Sequence, residues 1–167
     1  MEKLKYLNMA FSKNLKRLPD FYGVPNLEKL ILKGCEGLTE VHPSLVHHKK
    51  VVLMNFQDCN SLKSLPGKLD MSSLKKLILS GCCEFEFLPE FGGKMENLSI
   101  IALEGTTIRK LPSSLGNLVG LTNLKLKDCK SLICLPDTIH ELNSLIILDI
   151  SGCSKLYRLP DGLKELK

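Results

Sequence analysis

The chain has 167 residues, enough for one domain with a sizeable core, and its 44% hydrophobic content is aliphatic because aromatics stand at 5% and tryptophan is absent. The net charge of +5 comes from 23 basic and 18 acidic residues, scattered in pairs such as Lys49-Lys50 and Arg109-Lys110, which lack the density of a nucleic-acid or polybasic membrane patch. No run approaches the ~18 apolar residues of a membrane-spanning helix, and Met1-Glu2-Lys3-Leu4 lacks the apolar stretch of a secretory signal.

From the N-terminus onward one pattern recurs seven times, L-x-x-L-x-L-x-x-C-x-x-L-x-x-L-P, from starts at 4, 27, 51, 74, 98, 121 and 145. The first pass is the weakest: Leu4, Leu7, Met9, Ser12, Leu15, Leu18, Pro19. It is followed by Leu27, Leu30, Leu32, Cys35, Leu38, Val41, and then by Val51, Met54, Phe56, Cys59, Leu62, Leu65, Pro66. The fourth and fifth passes place Cys82 and Thr106 in the cysteine slot, and the last two place Cys129 and Cys153 there. A step of 23 or 24 residues is the mark of a leucine-rich-repeat solenoid. The expected fold is therefore an α/β-type solenoid over residues 1–167, a curved right-handed coil. It carries a parallel β-sheet on the concave face and a mostly irregular or 3₁₀ convex side.

Within the fourth pass, Leu77-Ile78-Leu79 predicts a short strand with 77 and 79 pointing inward and Lys76, Ile78 and Ser80 outward. Gly81 precedes the cysteine slot, as Gly34, Gly105 and Gly152 do in their repeats, and relieves the bend there. Asp58 and Asp128 stand at the same phase, residue types that also tolerate turns. The Leu-Pro that follows forbids continuing a regular element, so 3₁₀ or single-turn pieces are expected at segments such as 113–118. Neither end has a polar cap, which points to a fragment or a truncated gene product.

Five of the seven cysteines occupy one inward slot, which predicts a packing ladder of free thiols in a reduced compartment, each offering a weak hydrogen bond to an otherwise unpaired carbonyl. A single-file ladder cannot converge on a tetrahedral metal site. His42, His47 and His48 do not form one either, since adjacent residues of an extended chain point to opposite faces. Gly92-Gly93-Lys94 is no phosphate loop, because Leu88 stands where the first glycine belongs and Met95 replaces the hydroxyl residue. No nucleophile-and-base arrangement stands out, so neither catalysis nor a cofactor is expected.

The residues available for binding are the outward strand positions. A protein-binding surface is expected on Tyr6, Lys29, Ile31, Leu53, Asn55, Ile78, Ile100, Ala102, Asn123, Lys125, Ile147 and Asp149. Ile31, Leu53, Ile78, Ile100, Ala102 and Ile147 are apolar where solvent favours polar residues, and Leu53, Ile78 and Ile100 fall in successive repeats. Lys29, Lys33, Lys125 and Lys127 form a basic group that is either solvated or set against an acidic surface.

Several segments carry a family resemblance: Leu27-Glu28-Lys29-Leu30-Ile31-Leu32-Lys33-Gly34-Cys35 with Val41-His42-Pro43-Ser44-Leu45, Leu77-Ile78-Leu79-Ser80-Gly81-Cys82, and Leu148-Asp149-Ile150-Ser151-Gly152-Cys153. Another is the shortened repeat at Leu103-Glu104-Gly105-Thr106-Thr107-Ile108. With them the whole chain resembles the leucine-rich-repeat region of plant intracellular nucleotide-binding immune receptors, in the branch with an N-terminal Toll/interleukin-1-receptor domain. The resemblance implies a cytoplasmic location, extending to the nucleus. It implies a protein ligand, either a pathogen effector or a guarded host protein. It also implies restraint of a sibling nucleotide-binding domain, with no nucleic acid and no membrane as partner. A free-standing intracellular repeat scaffold is the alternative. A ubiquitin-ligase subunit would show longer repeats with a second cysteine, and a receptor ectodomain would show asparagine in the slot and a signal peptide.

Overall fold

The computed structural model of the protein describes residues 1–93 and 95–165. Lys94 of the Gly92-Gly93-Lys94 triplet and the chain end at Lys167 lie outside them. Seven three-residue strands follow one another: β1 (Tyr6–Asn8), β2 (Lys29–Ile31), β3 (Leu53–Asn55), β4 (Lys76–Ile78), β5 (Ile100–Ala102), β6 (Asn123–Lys125) and β7 (Ile147–Asp149). They form a single parallel sheet in sequence order, each strand bonded to the next, on the concave face of the solenoid. The register keeps every repeat position beside its equivalent, so Leu30 lies beside Met54, Met54 beside Leu77, and Leu77 beside Ile101.

The strands are short because the chain turns at the same phase in every repeat. Phe11, Gly34, Asp58, Gly81, Gly105, Asp128 and Gly152 all take positive φ, between 58° and 78°. Glycine occupies four of these positions at no steric cost, while aspartate tolerates the left-handed region better than most residues. Phe11 at φ 62° is the departure: nothing in its residue type favours that conformation.

After the turn comes the thiol ladder. The Sγ atoms of Cys35, Cys59, Cys82, Cys129 and Cys153 donate to the carbonyls of Met9, Leu32, Phe56, Leu103 and Leu126, each in the preceding repeat, at 3.0–3.1 Å. Those carbonyls are not otherwise unpaired, contrary to the expectation from sequence. The amides of Ser12, Cys35, Cys59, Thr106 and Cys129 already donate to them, and the thiol uses the second lone pair. The ladder thus ties adjacent repeats together through an acceptor that each repeat has half used itself.

A sparser second ladder precedes each Leu-Pro, with Ser64, Phe87, Lys110, Cys134 and Arg158 paired in succession. Beyond the proline, four repeats form 3₁₀ turns: η1 (Pro43–His47), η2 (Ser113–Asn117), η3 (Asp137–Glu141) and η4 (Asp161–Glu165). The other three lack one among the described residues; in two of them Gly67 and Gly93 adopt positive φ, and Leu69 bridges to Phe91 instead. Between these layers lies one continuous aliphatic core, with Phe56, Phe85 and Phe91 as its largest fully buried side chains.

Candidate functional site

Three columns of outward side chains run across the sheet, one from each edge of the strands and one just beyond. The first is Tyr6, Lys29, Leu53, Lys76, Ile100, Asn123 and Ile147, in lateral register. The second is Asn8, Ile31, Asn55, Ile78, Ala102, Lys125 and Asp149. The third, past the strand ends, includes Lys33, Gln57, Ser80, Glu104 and Lys127. All twelve residues singled out in the sequence fall in the first two columns, on one face.

Their accessibility is not uniform. Tyr6, Lys29 and Ile147 are exposed, while Ile31, Leu53, Asn55, Ile78, Ile100, Asn123, Lys125 and Asp149 are half-buried. Ala102 is buried, at 7% exposure, which removes it from the contact surface. Its methyl is short and sits in register between Ile78 and Lys125, whose longer side chains overtop it. Leu53, Ile78 and Ile100 do not form one row. Leu53 stands beside Lys76, Ile78 beside Asn55, and Ile100 beside Lys76, so the apolar residues zigzag between the columns.

The ion pairs of the described residues all form off this face. Among the described residues seven ion pairs form, including Lys5–Glu28, Lys13–Glu36 and Lys49–Asp70, each linking neighbouring repeats. None uses a residue of the three columns; the remaining four are Arg17–Glu40, Lys63–Glu84, Arg109–Glu86 and Arg158–Asp137. The two carboxylates of the face are occupied by serines instead. Glu104 accepts from the Ser80 hydroxyl, and Asp149 accepts from the hydroxyl and amide of Ser151. The Ser151 bonds, aided by the nearby Lys127 and Lys125, hold the Asp149 carboxyl below its usual range. Lys29, Lys33, Lys76, Lys125 and Lys127 are left without an ion-pair partner among the described residues. Lys76, outward by the same phase count as Lys29, joins this group although it is not among the twelve.

The other candidate chemistries resolve into structure. His42 caps η1, its Nδ1 accepting from the Ser44 amide at 3.2 Å, and His48 meets Phe21 edge-on. No group of three or more His, Cys, Asp or Glu side chains among the described residues is placed to hold a metal. A recess of about 640 Å³ opens on the return side among Gly116, Asn117, Val119, His140 and Glu141, away from the sheet. Among the described residues no helix is long and apolar enough to cross a membrane.

The repeat signature extends to known proteins. The family of leucine-rich repeats of the disease resistance protein RPS4B-like type matches residues 70–164, more than half of the chain. The TMV resistance protein N of Nicotiana glutinosa is 41% identical over 137 residues, which are 81% of this chain and 12% of that protein. The disease resistance protein RPP2A of Arabidopsis thaliana is 40% identical over 132 residues, 79% of this chain and 10% of the relative. The chain therefore spans about a tenth of the length of these relatives. Among solved structures, the leucine-rich repeat domain of the type III effector XopL aligns over 97% of this chain and 73% of its own, with 23% identity and a TM-score of 0.45. With its repeat phase, its thiol ladder and the family match over residues 70–164 together, the chain belongs to the RPS4B-like leucine-rich-repeat family of disease resistance proteins.

Proposed function

We propose that this chain is the recognition module of an intracellular plant immune receptor, and that its sheet face binds a protein, either a pathogen effector or a host protein that an effector modifies. In the unchallenged cell the same repeats restrain a sibling nucleotide-binding domain of the receptor. The observation that carries this reading is the character of the face: half-buried Ile31, Leu53, Ile78 and Ile100 among lysines that make no ion pair with the described residues. Half-exposed aliphatic side chains beside unpaired cations favour a partner that covers both. The names of the relatives, which are resistance proteins, supply the setting. That setting and the free thiols support a cytoplasmic location.

The test is capture of proteins from pathogen-challenged plant tissue by the immobilised chain, beside an Ile78→Glu, Ile100→Glu variant and a Val119→Glu control on the return side. Capture that is lost with the sheet-face variant and kept with the control is the expected result. Equal capture by all three chains overturns the assignment of the face. For the restraint, these repeats are exchanged into a full-length relative, where Ile78→Glu is expected to trigger cell death without a pathogen.

A further inference from the structure

The unpaired lysines are spaced. Lys29 and Lys33 belong to the β2 repeat, Lys76 to β4, and Lys125 and Lys127 to β6. They recur on every second strand, with none on β3 or β5; Lys29 and Lys76 share the first column, while Lys125 stands in the second, two residues further along its strand. Leu53 stands on β3 and Ile100 on β5, so aliphatic side chains fill the intervals between cations. Parallel strands lie about 4.8 Å apart, which sets the lysine-bearing strands about 10 Å from one another. An α-helix rises about 1.5 Å per residue, so one heptad advances by nearly the same distance. A helix laid across the strands then brings a carboxylate to each lysine-bearing strand at i, i+7 and i+14. Its residues at i+3, i+4, i+10 and i+11 lie on the same side, above Leu53 and Ile100.

Other backbones fit less well. A β-strand covers about 10 Å in three residues, but residues three apart point to opposite sides, so alternate carboxylates face away from the sheet. A polyproline helix advances about 9 Å per turn and keeps every third residue on one side. The residues between then turn away, leaving Leu53 and Ile100 uncovered. Only the α-helix presents charge and apolar side chain together on one side at this spacing.

We propose that the sheet face takes one acidic amphipathic helix of a partner protein, laid obliquely across β2 to β6, with its carboxylates one heptad apart against Lys29, Lys76 and, one column over, Lys125. This rests on the sheet face being the binding surface and adds the shape and charge of what it binds. Glu104 and Asp149 are held by Ser80 and Ser151 and form no ion pair with these lysines among the described residues, although Asp149 lies in register beside Lys125.

The probes are three labelled synthetic peptides of about 15 residues. One is helical, with glutamates a heptad apart and leucines three and four residues after each. The second is a scramble of it, and the third is a proline-rich peptide with glutamate at every third position. Binding to the 167-residue chain is read by fluorescence polarisation at two salt concentrations. The helical peptide is expected to bind at least about tenfold tighter than either control and to weaken with salt. Lys76→Glu and Lys125→Glu are expected to lower its affinity by a further tenfold or so, and the uncharged Lys76→Gln by less. Both lysines lie on the surface, and an unchanged Tm confirms that the variants fold. No preference over the scramble, preference for the proline-rich peptide, or equal binding by the lysine variants overturns the proposal. If the helical peptide fails while capture from tissue still depends on Ile78 and Ile100, the helix is wrong and the recognition face stands.

Discussion

At the scale of single residues, the cysteine slot shows one side chain doing two jobs, filling volume and donating to a carbonyl of the preceding repeat. Burial pushes the Cys35 and Cys153 thiols up, and takes Cys129 up to about 11. Cys59 rises with them, chiefly through its contact with the Cys82 thiol. Because these thiols ionise later in the folded chain than in the unfolded one, the stability they contribute is complete below about pH 9 and is lost as pH rises through the folded values. Thermal unfolding is therefore expected to hold to about pH 9 and fall towards pH 11, with a shallower fall in Cys129→Ser. Thiol reagents are expected to label exposed Cys83 first and half-buried Cys134 and Cys153 more slowly, while Cys35, Cys59, Cys82 and Cys129 react only on unfolding. Fast labelling of Cys82 in the native chain would contradict the ladder. The positive-φ column makes a second residue-scale statement. The side chains of Phe11, Asp58 and Asp128 each lie over the glycine of the next repeat, Gly34, Gly81 and Gly152, whereas nothing lies within 4 Å of a β-carbon built on Gly105. Gly105→Ala is expected to cost about 1 kcal/mol of left-handed strain, and Gly81→Ala more, since its methyl meets the Asp58 carboxylate. Adding Asp58→Gly is expected to remove the excess, as read from urea unfolding.

At the scale of elements, the return segments explain a motif whose role the sequence did not disclose. Ser44, just inside η1, accepts a hydrogen bond from the Phe21 amide at 2.8 Å, one repeat earlier. Ser114 does the same for the Phe91 amide at 2.9 Å inside η2. The Pro43-Ser44 pair was legible in the sequence as a sign of relationship; the serine's physical task, satisfying a buried amide 23 residues away, required the stacking of repeats. Ser44 is 2% exposed, so Ser44→Ala strands the amide of Phe21 away from water and is expected to cost about 1–3 kcal/mol. Ser114 is half-buried, so water replaces its hydroxyl and Ser114→Ala is expected to cost less. Denaturant midpoints of the two variants, with hydrogen exchange at Phe21, check the difference. Equal costs would mean that the hydroxyl of Ser44 is not the decisive partner.

At the scale of the whole molecule, every strand contacts only its sequence neighbours, so stability spreads along the stack in nearest-neighbour steps. The middle residues of β2 to β6 are fully buried, while Leu7 and Leu148 at the two ends are only half-buried, having one neighbour each. Leu77→Ala is expected to cost about 3 kcal/mol and Leu148→Ala about 1 kcal/mol. Hydrogen exchange is expected to be fastest in the first and last repeats and slowest around β4. Uniform protection along the stack would argue against this one-dimensional organisation.

The amino-acid sequence by itself determined the repeat period, the inward leucines, the thiol slot, the strand positions and the single face on which all candidate binding residues lie. These depend on local periodicity, which a period of 23 or 24 residues carries without reference to distant parts of the chain. Tertiary structure decided what happens between repeats. It buried Ala102 between Ile78 and Lys125, gave the cysteine-accepting carbonyls a second donor, set Phe11 in the left-handed region over Gly34, and placed all seven ion pairs of the described residues off the sheet face. The physical reason is that lateral register, not sequence position, selects each side chain's neighbours. A residue's phase tells which way it points, and the repeats stacked on either side tell what it meets there.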